Sequence, residues 1–147
     1  GVYVAVDVRA DALALARENA AALDVAGQIA FAEGELADCG IEPETVSAIV
    51  SNPPYIATAD YERLPAQIRD HEPRVALDGG EDGLAVIRTV VQDAAMALVA
   101  GGRLFLEIGC DQGRAVSDLM AGCGFDGVEV RQDLAGRDRV VSGRLAA

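Results

Sequence analysis

Val46-Ser47-Ala48-Ile49-Val50 runs directly into Ser51-Asn52-Pro53-Pro54-Tyr55, and this junction constrains the fold more than any other part of the chain. The first five residues are mostly apolar and rich in β-branched side chains, bounded by Pro43 below and Pro53 above. That is the pattern of a buried strand. Asn52–Tyr55 then stands at a strand's C-terminal end, where ligands bind in open α/β sheets. The two prolines stiffen the backbone and remove two N–H donors. Asn52 precedes a proline and is pushed out of the helical region. A rigid turn results, presenting one side-chain amide, backbone carbonyls and an aromatic ring. Such a set can grip a planar NH2 group: the Asn52 oxygen and a loop carbonyl accept its two hydrogens, and Tyr55 stacks on the flat face. Acceptors that favour a pyramidal nitrogen return its lone pair for attack on an electrophile. The same residues also read as a plain Pro-Pro turn with Asn52 as a local cap, and both readings stand at this point.

Strands and helices alternate around the junction. Val2–Val6 reads as a buried strand ending in Asp7. A helix follows, capped near Arg9 or Asp11, with Leu13, Ala16, Ala20 and Leu23 on one face. Gln28–Phe31 reads as the next strand and ends in the turn Glu33-Gly34-Glu35-Leu36. After Val46–Val50 comes a long polar segment, Ile56 to Gly83, with helical promise only near Asp60–Arg69. Segments of this length are commonly functional or mobile, and a flap beside Asn52 is expected. A helix over Leu84–Val99 points Ile87, Val90, Val91, Ala94, Ala95 and Leu98 at a sheet, and Gly101-Gly102 ends it. The strand Arg103–Ile108 precedes a helix over Gln112–Ala121, which Gly122 and Gly124 break. Val128–Gln132 and Val140–Ser142 close as an antiparallel pair, with Arg137, Asp138 and Arg139 in a hairpin turn with surface pairs.

This alternation predicts an α/β sheet of mostly parallel strands. Asp7, Glu35 and Asn52 then fall on successive strand ends. Asp7 is placed to accept from ribose hydroxyls, and Glu35 from an adenine amino group or a ribose. Taken singly, each acid is as well explained as a solvated loop residue or helix cap; the three tips together are more specific.

The length of 147 residues fits one domain, and 51% apolar residues fit a globular core. No run approaches the roughly 18 apolar residues that span a membrane. Cys39, Cys110 and Cys123 are far apart, with no CxxC or Cys/His cluster, so a reducing cytoplasm is expected and a metal site is not. The net charge of −12 sets 24 acids against 12 bases, all of them arginine. Such acidity opposes non-specific nucleic-acid binding, which depends on neutralising phosphates. The chain starts at Gly1 and opens at once on a strand, which points to a fragment of a longer protein.

Asn52-Pro53-Pro54-Tyr55 resembles the motif of S-adenosyl-L-methionine-dependent methyltransferases that modify amide or exocyclic amino nitrogens. His71-Glu72-Pro73-Arg74-Val75-Ala76-Leu77 followed by Gly79-Gly80-Glu81-Asp82-Gly83-Leu84 resembles the signature of peptide chain release factor glutamine methyltransferases. Leu106-Glu107-Ile108-Gly109, Asp111-Gln112-Gly113 and Asp133-Leu134-Ala135-Gly136-Arg137-Asp138-Arg139 are similar to that family's C-terminal half. The resemblance implies a class I, Rossmann-like methyltransferase fold, its sheet mostly parallel with an antiparallel C-terminal strand. It implies methyl transfer to the glutamine amide of the Gly-Gly-Gln motif in release factors, with translation termination as the setting. By carry-over, Asn52 is catalytic, and Asn52, Pro53, Pro54 and Tyr55 bind the substrate glutamine. Asp7, Glu35 and Asn52 contact the cofactor. The family's turn commonly reads Asp-Trp where this chain has Glu35-Leu36, so the acid is kept but the aromatic stacking surface is absent. The family's first strand and its glycine-rich loop have no counterpart here, since Val2–Val6 resembles the second strand. Residues 1–147 are accordingly expected to be the C-terminal part of a methyltransferase catalytic domain. A DNA adenine or RNA guanine amino-methyltransferase with the same tetrapeptide, and an inactive fragment, are the alternatives.

Overall fold

The computed structural model describes residues 1–147, which divide into two compact units, Gly1–Glu42 and Pro43–Ala147. In the first unit, β1 (Tyr3–Asp7) pairs in parallel with β2 (Ile29–Glu33), and Asp7 lies opposite Glu33. Between them runs α1 (Ala10–Ala22), an alanine-rich helix made mostly of strong helix formers. Asp11 in its first turn suits the positive helix end and pairs with Arg9, the N-cap residue. Leu13 and Ala20 are buried and Ala16 is half-buried, as the period predicts. Leu23 departs from the expected face: the helix ends at Ala22, the chain turns at Asp24 with φ 57°, and Leu23 is exposed. β1 also departs from expectation. Val2, Tyr3 and Val4 are exposed rather than buried.

The second unit is built on a four-stranded sheet in the order β3-β4-β6-β5. Its strands are β3 (Val46–Ser51), β4 (Leu98–Glu107), β5 (Phe125–Gln132) and β6 (Asp138–Leu145). β3 and β4 are parallel, whereas β4/β6 and β5/β6 are antiparallel. The strands thus form two sheets, and the larger is mixed, with the parallel pairing in the N-terminal strands and the antiparallel ending where the sequence predicts it. β3 is less enclosed than its apolar run suggests: Ile49 packs on the core, but Val50 on the opposite face is 80% exposed.

Helix α4 (Ala85–Ala97) covers the sheet with Ile87, Val91 and Ala94, spaced by one helical turn. Helix α5 (Gly113–Gly122) adds Val116 and Met120. These side chains meet Leu104, Leu106, Ile108, Phe125 and Val141 in one cluster. Burying each large apolar side chain contributes about 1.5–3 kcal/mol. Leu98 belongs to this cluster but not to the helix. The backbone turns extended at Leu98, which pairs with Val46, and the ladder resumes three residues late at Ala48/Arg103. Gly101, at φ 79°, sits in the intervening bulge.

The segment Ile56–Gly83 is a closed loop rather than an open flap. Its neck is laced by Ile56 N–H to the Leu77 carbonyl (3.0 Å), Gly79 N–H to Ile56 (2.8 Å) and Thr58 N–H to Gly80 (2.9 Å). Inside it lie two short helices, α2 (Thr58–Tyr61) and α3 (Ala66–Arg69), and the buried Tyr61 ring lies under Arg74 at 4.9 Å. Asp78 fastens the neck. It accepts from Thr58 Oγ1 (2.7 Å), Gly80 N–H (3.0 Å) and Arg74 Nε (2.9 Å). The Thr58 hydroxyl, then the Gly80 amide and Arg74, hold its carboxyl below the usual carboxylate range. A folded-state pKa below the unfolded value of about 3.9 gives stabilisation that is complete above that value and lost as pH falls through the depressed one. Thermal unfolding followed from pH 7 to pH 2 should therefore lose stability more steeply in the native protein than in Asp78→Asn; equal slopes would contradict the role of Asp78.

Candidate functional site

β3 and β4 end, and β6 begins, at one edge of the second unit's sheet, because the first two are parallel and the third runs back against β4. Three segments converge there. Asn52–Tyr55 follows β3, Gly109–Gln112 follows β4, and Arg139 opens β6 with its carbonyl accepting from Ile108 N–H (3.0 Å). All peptide bonds in the turn are trans. Pro53 is buried and Pro54 half-buried, so the turn is seated, while Asn52 is exposed. The Asn52 side-chain amide makes no hydrogen bond within the protein, so it does not act as a local cap and its oxygen is available to a ligand.

Tyr55 is half-buried and packs on the main hydrophobic cluster. Its hydroxyl accepts a long hydrogen bond from Arg139 (3.4 Å). Arg139 also donates to the Ile108 carbonyl (3.3 Å) and pairs with Asp133 at 3.6 Å. The Arg137 and Ala135 amides and the Arg139 charge hold the Asp133 carboxyl below its ordinary range. Arg139 therefore is not a surface hairpin residue, as its sequence position suggests; it links the β5–β6 turn to the ring of Tyr55. A cleft of about 420 Å³ opens beside Tyr55, with Asp82, Asp111, Gln112 and Arg139 among its lining. Asp82 is committed to Arg88, which draws its carboxyl down to about 2.

The glycines of the His71–Leu84 signature have a packing reason. A Cβ on Gly79 would stand 2.7 Å from the Pro54 carbonyl, and one on Gly83 would stand 2.4 Å from the Tyr55 carbonyl. Gly83 also has φ 73°, a region costly to other residues. The neck of the long loop thus lies directly on the backbone of the Pro-Pro-Tyr turn, and only hydrogen side chains allow that approach. Gln112 completes the contact: its Nε2 donates to the carbonyls of Tyr55 (2.9 Å) and Gly83 (3.2 Å), and its Oε1 accepts from Gly109 N–H (2.9 Å).

In the first unit, Asp7 and Glu35 share the C-terminal end of the β1/β2 pair. Gly34 N–H donates to the Asp7 carbonyl (3.0 Å), which draws the Glu33–Leu36 turn beside Asp7. Arg9 N–H donates to Asp7 Oδ1 (2.9 Å) and fixes the carboxylate, leaving Oδ2 without a partner in the protein. Glu35 is exposed and its side chain makes no hydrogen bond. Leu36 beside it is half-buried and offers no aromatic face. The two carboxylates belong to the first unit and Asn52–Tyr55 to the second. Gln112 and Arg139 carry no signal in periodicity; both stand in segments that resemble the family, Asp111–Gly113 and Asp133–Arg139, but that resemblance assigns neither a role.

The sheet and helix order is that of class I S-adenosylmethionine-dependent methyltransferases. Among solved structures, a methyltransferase from Pyrococcus furiosus superposes with a TM-score of 0.71 over 99% of this chain and 64% of its own, at 16% identity. The family model described as RMKL-like, methyltransferase domain, matches residues 2–68. Within that class the sequence is specific. The release factor glutamine methyltransferase of Cereibacter sphaeroides is 48% identical over 98% of this chain and 51% of its own length. That of Caulobacter vibrioides is 43% identical over 94% of this chain and 47% of its own. By sequence the chain belongs with the release factor glutamine methyltransferase family, and it spans about half the length of these relatives.

Two glycines at similar φ separate the packing constraint from the backbone one. Gly83→Ala and Gly136→Ala (φ 73° and 75°) both place a side chain in the left-handed region, at about 1–2 kcal/mol each. A Cβ on Gly136 meets nothing within 4 Å, whereas one on Gly83 meets the Tyr55 carbonyl. Denaturant titration should find Gly83→Ala the more destabilising of the two; equal losses would mean that the turn yields freely.

Proposed function

We propose that this chain is the C-terminal part of a catalytic domain, and that the complete protein transfers a methyl group from S-adenosyl-L-methionine to the side-chain amide nitrogen of glutamine in the Gly-Gly-Gln motif of peptide chain release factors. The observation that carries the reading is the exposed, unpartnered Asn52 amide on a seated trans Pro-Pro turn. A side chain without internal partners, on a backbone with none of the usual freedom, suits a precise external acceptor role. Release factor partners and the reaction are named for the relatives, and the extensive identity supports carrying both over.

In this reading Asn52 Oδ1 accepts one hydrogen of the glutamine amide and a carbonyl of the Pro-Pro segment accepts the other. The nitrogen lone pair is thereby withdrawn from amide resonance and directed outward. Tyr55, held by Arg139, borders the acceptor. When bound, the cofactor would supply an activated methyl on a sulfonium, its S–C bond breaking to leave a neutral thioether as the N–C bond forms; the amide proton, made acidic by that bond, would pass to water, so no side chain needs a tuned pKa. The remaining oxygen of Asp7, oriented by Arg9 N–H, fits a ribose diol, and the solvated Glu35 carboxylate fits a neighbouring donor. No helix is long and apolar enough to cross a membrane, and the three cysteines are free thiols. We place the protein in the cytoplasm, where thiols stay reduced.

In the complete enzyme Asn52→Ala should lower turnover on the order of 100-fold while the protein stays folded. Labelling of the release factor should also vanish when its Gly-Gly-Gln glutamine is replaced by alanine. Methylation of DNA or RNA with none on release factor would replace this reading with the nucleic-acid one. For the 147 residues alone, calorimetric titration should detect cofactor affinity weaker than micromolar, since no glycine-rich loop for the methionine end is among them; micromolar binding would contradict the domain assignment.

A further inference from the structure

We infer that Gln112 is a positioning residue for the methyl-accepting turn, setting where Asn52 stands by holding the Tyr55 carbonyl against the neck of the Ile56–Gly83 loop and the loop after β4. This rests on the reading of Asn52 given above and adds a residue outside the turn itself.

Gln112 is the N-cap residue of α5, yet its side chain does not cap that helix. It is 8% exposed and turned into the convergence of three segments. Both Nε2 hydrogens are used, on Tyr55 and Gly83, 57 and 29 residues away, and Oε1 takes the Gly109 N–H. The orientation of the amide is therefore determined. Exchanging oxygen and nitrogen would set an oxygen against two carbonyls and an NH2 against an N–H. No other common side chain of this size offers two donors and one acceptor in that plane. Leucine offers none, and glutamate offers acceptors where two donors are needed.

The connection from Tyr55 to Asn52 is stiff. Pro53 and Pro54 hold their φ angles near one value and contribute no N–H by which the turn could be fixed from elsewhere. A displacement at the Tyr55 carbonyl is thus passed along the turn to Asn52 rather than absorbed. A shift of about 1 Å in a positioned group can cost on the order of 100-fold in rate. The Tyr55 ring does not replace the lost restraint, because its bond to Arg139 is long, at 3.4 Å, and acts on the side chain.

The test uses the complete protein with Gln112→Leu and Gln112→Glu, release factor as substrate, and hydrogen exchange read by mass spectrometry. Gln112→Leu should lower kcat by about 10–100-fold with the KM for S-adenosyl-L-methionine within about twofold, at temperatures where circular dichroism finds the protein folded. Gln112→Glu should recover relative to the native enzyme as pH falls from 8 to 6, because only the protonated carboxyl can donate to one of the two carbonyls. A role confined to stability would lower Tm in both variants without that pH-dependent ratio. Exchange should quicken about tenfold or more in the amides of residues 55–58 and 77–85 and stay unchanged in β4 and β6. Native-like kcat in both folded variants, or unchanged exchange in the two segments, overturns the inference. If the native protein fails to methylate release factor, the functional reading falls, and the exchange data alone decide the role of Gln112. If Gln112→Leu does not fold, the pH dependence of Gln112→Glu and its exchange decide it.

Discussion

A turn made of two consecutive prolines cannot be held by its own amide hydrogens, and the second unit is arranged around that fact. Pro53 and Pro54 leave carbonyls but no donors. Whatever fixes Asn52 must come from other parts of the chain. Two devices supply it here. Glycines at 79 and 83 let the loop neck approach the Pro54 and Tyr55 carbonyls more closely than any Cβ would allow. Gln112 then brings a donor to the Tyr55 carbonyl. The Asp-Gly part of the signature follows from the same need: Asp82 caps the Leu84 amide at 3.1 Å and pairs with Arg88, so the chain leaves Gly83 directly into α4. The signature is thus a support for the turn, and its residues lie on it from behind.

Topology determines which residues can serve. Because β3 and β4 run in parallel, the loops after both open at one sheet edge. β6 runs the other way, so its first residues arrive at that same edge. A parallel β6 would deliver Arg139 to the far end. The antiparallel ending of the sheet is therefore what lets a residue 84 positions after Tyr55 reach its hydroxyl. The β1/β2 pair of the first unit repeats the logic on a smaller scale: parallel strands bring Asp7 and the Glu33–Leu36 turn to one end, tied by Gly34 N–H.

Much of this was legible in the sequence where the signal is local. Alternating apolar periods located all six strands and both long helices of the sheet, and the Pro43 and Pro53 boundaries framed β3 closely. The face of α4 was readable because Ile87, Val91 and Ala94 repeat with the helix. Leu98 was misassigned to that helix because it continues the same period; only pairing with Val46 draws it into a strand. Exposure was harder. Val2, Tyr3, Val4 and Val50 have buried-strand composition, but burial depends on what covers a face, and composition does not encode that. The roles of Gln112 and Arg139 were not legible for a related reason. Their partners lie 57 and 84 residues away, beyond the reach of any period, and a polar residue near a glycine reads as loop until the convergence of three segments is known.

Under the proposed reading, charge around the site suits a protein amide better than a nucleobase, though less simply than a count of acids suggests. The acids of the long loop are not all free to act on a ligand. Asp60 pairs with Arg63, Glu62 and Asp78 with Arg74, Asp70 with Arg69, and Asp82 with Arg88. Most of these pairs are exposed and contribute little stability each, but they cancel part of the local field. Glu72 and Glu81 remain without such partners, and Asp111 adds a further carboxylate at the cleft beside Tyr55. Arg139, the cation nearest the turn, is already divided between Asp133, the Ile108 carbonyl and Tyr55. Arg139 is therefore not free to neutralise a phosphate backbone. A loop of small uncharged residues presenting one side-chain amide needs no such neutralisation. It also matches what the turn offers, which is acceptors at fixed positions.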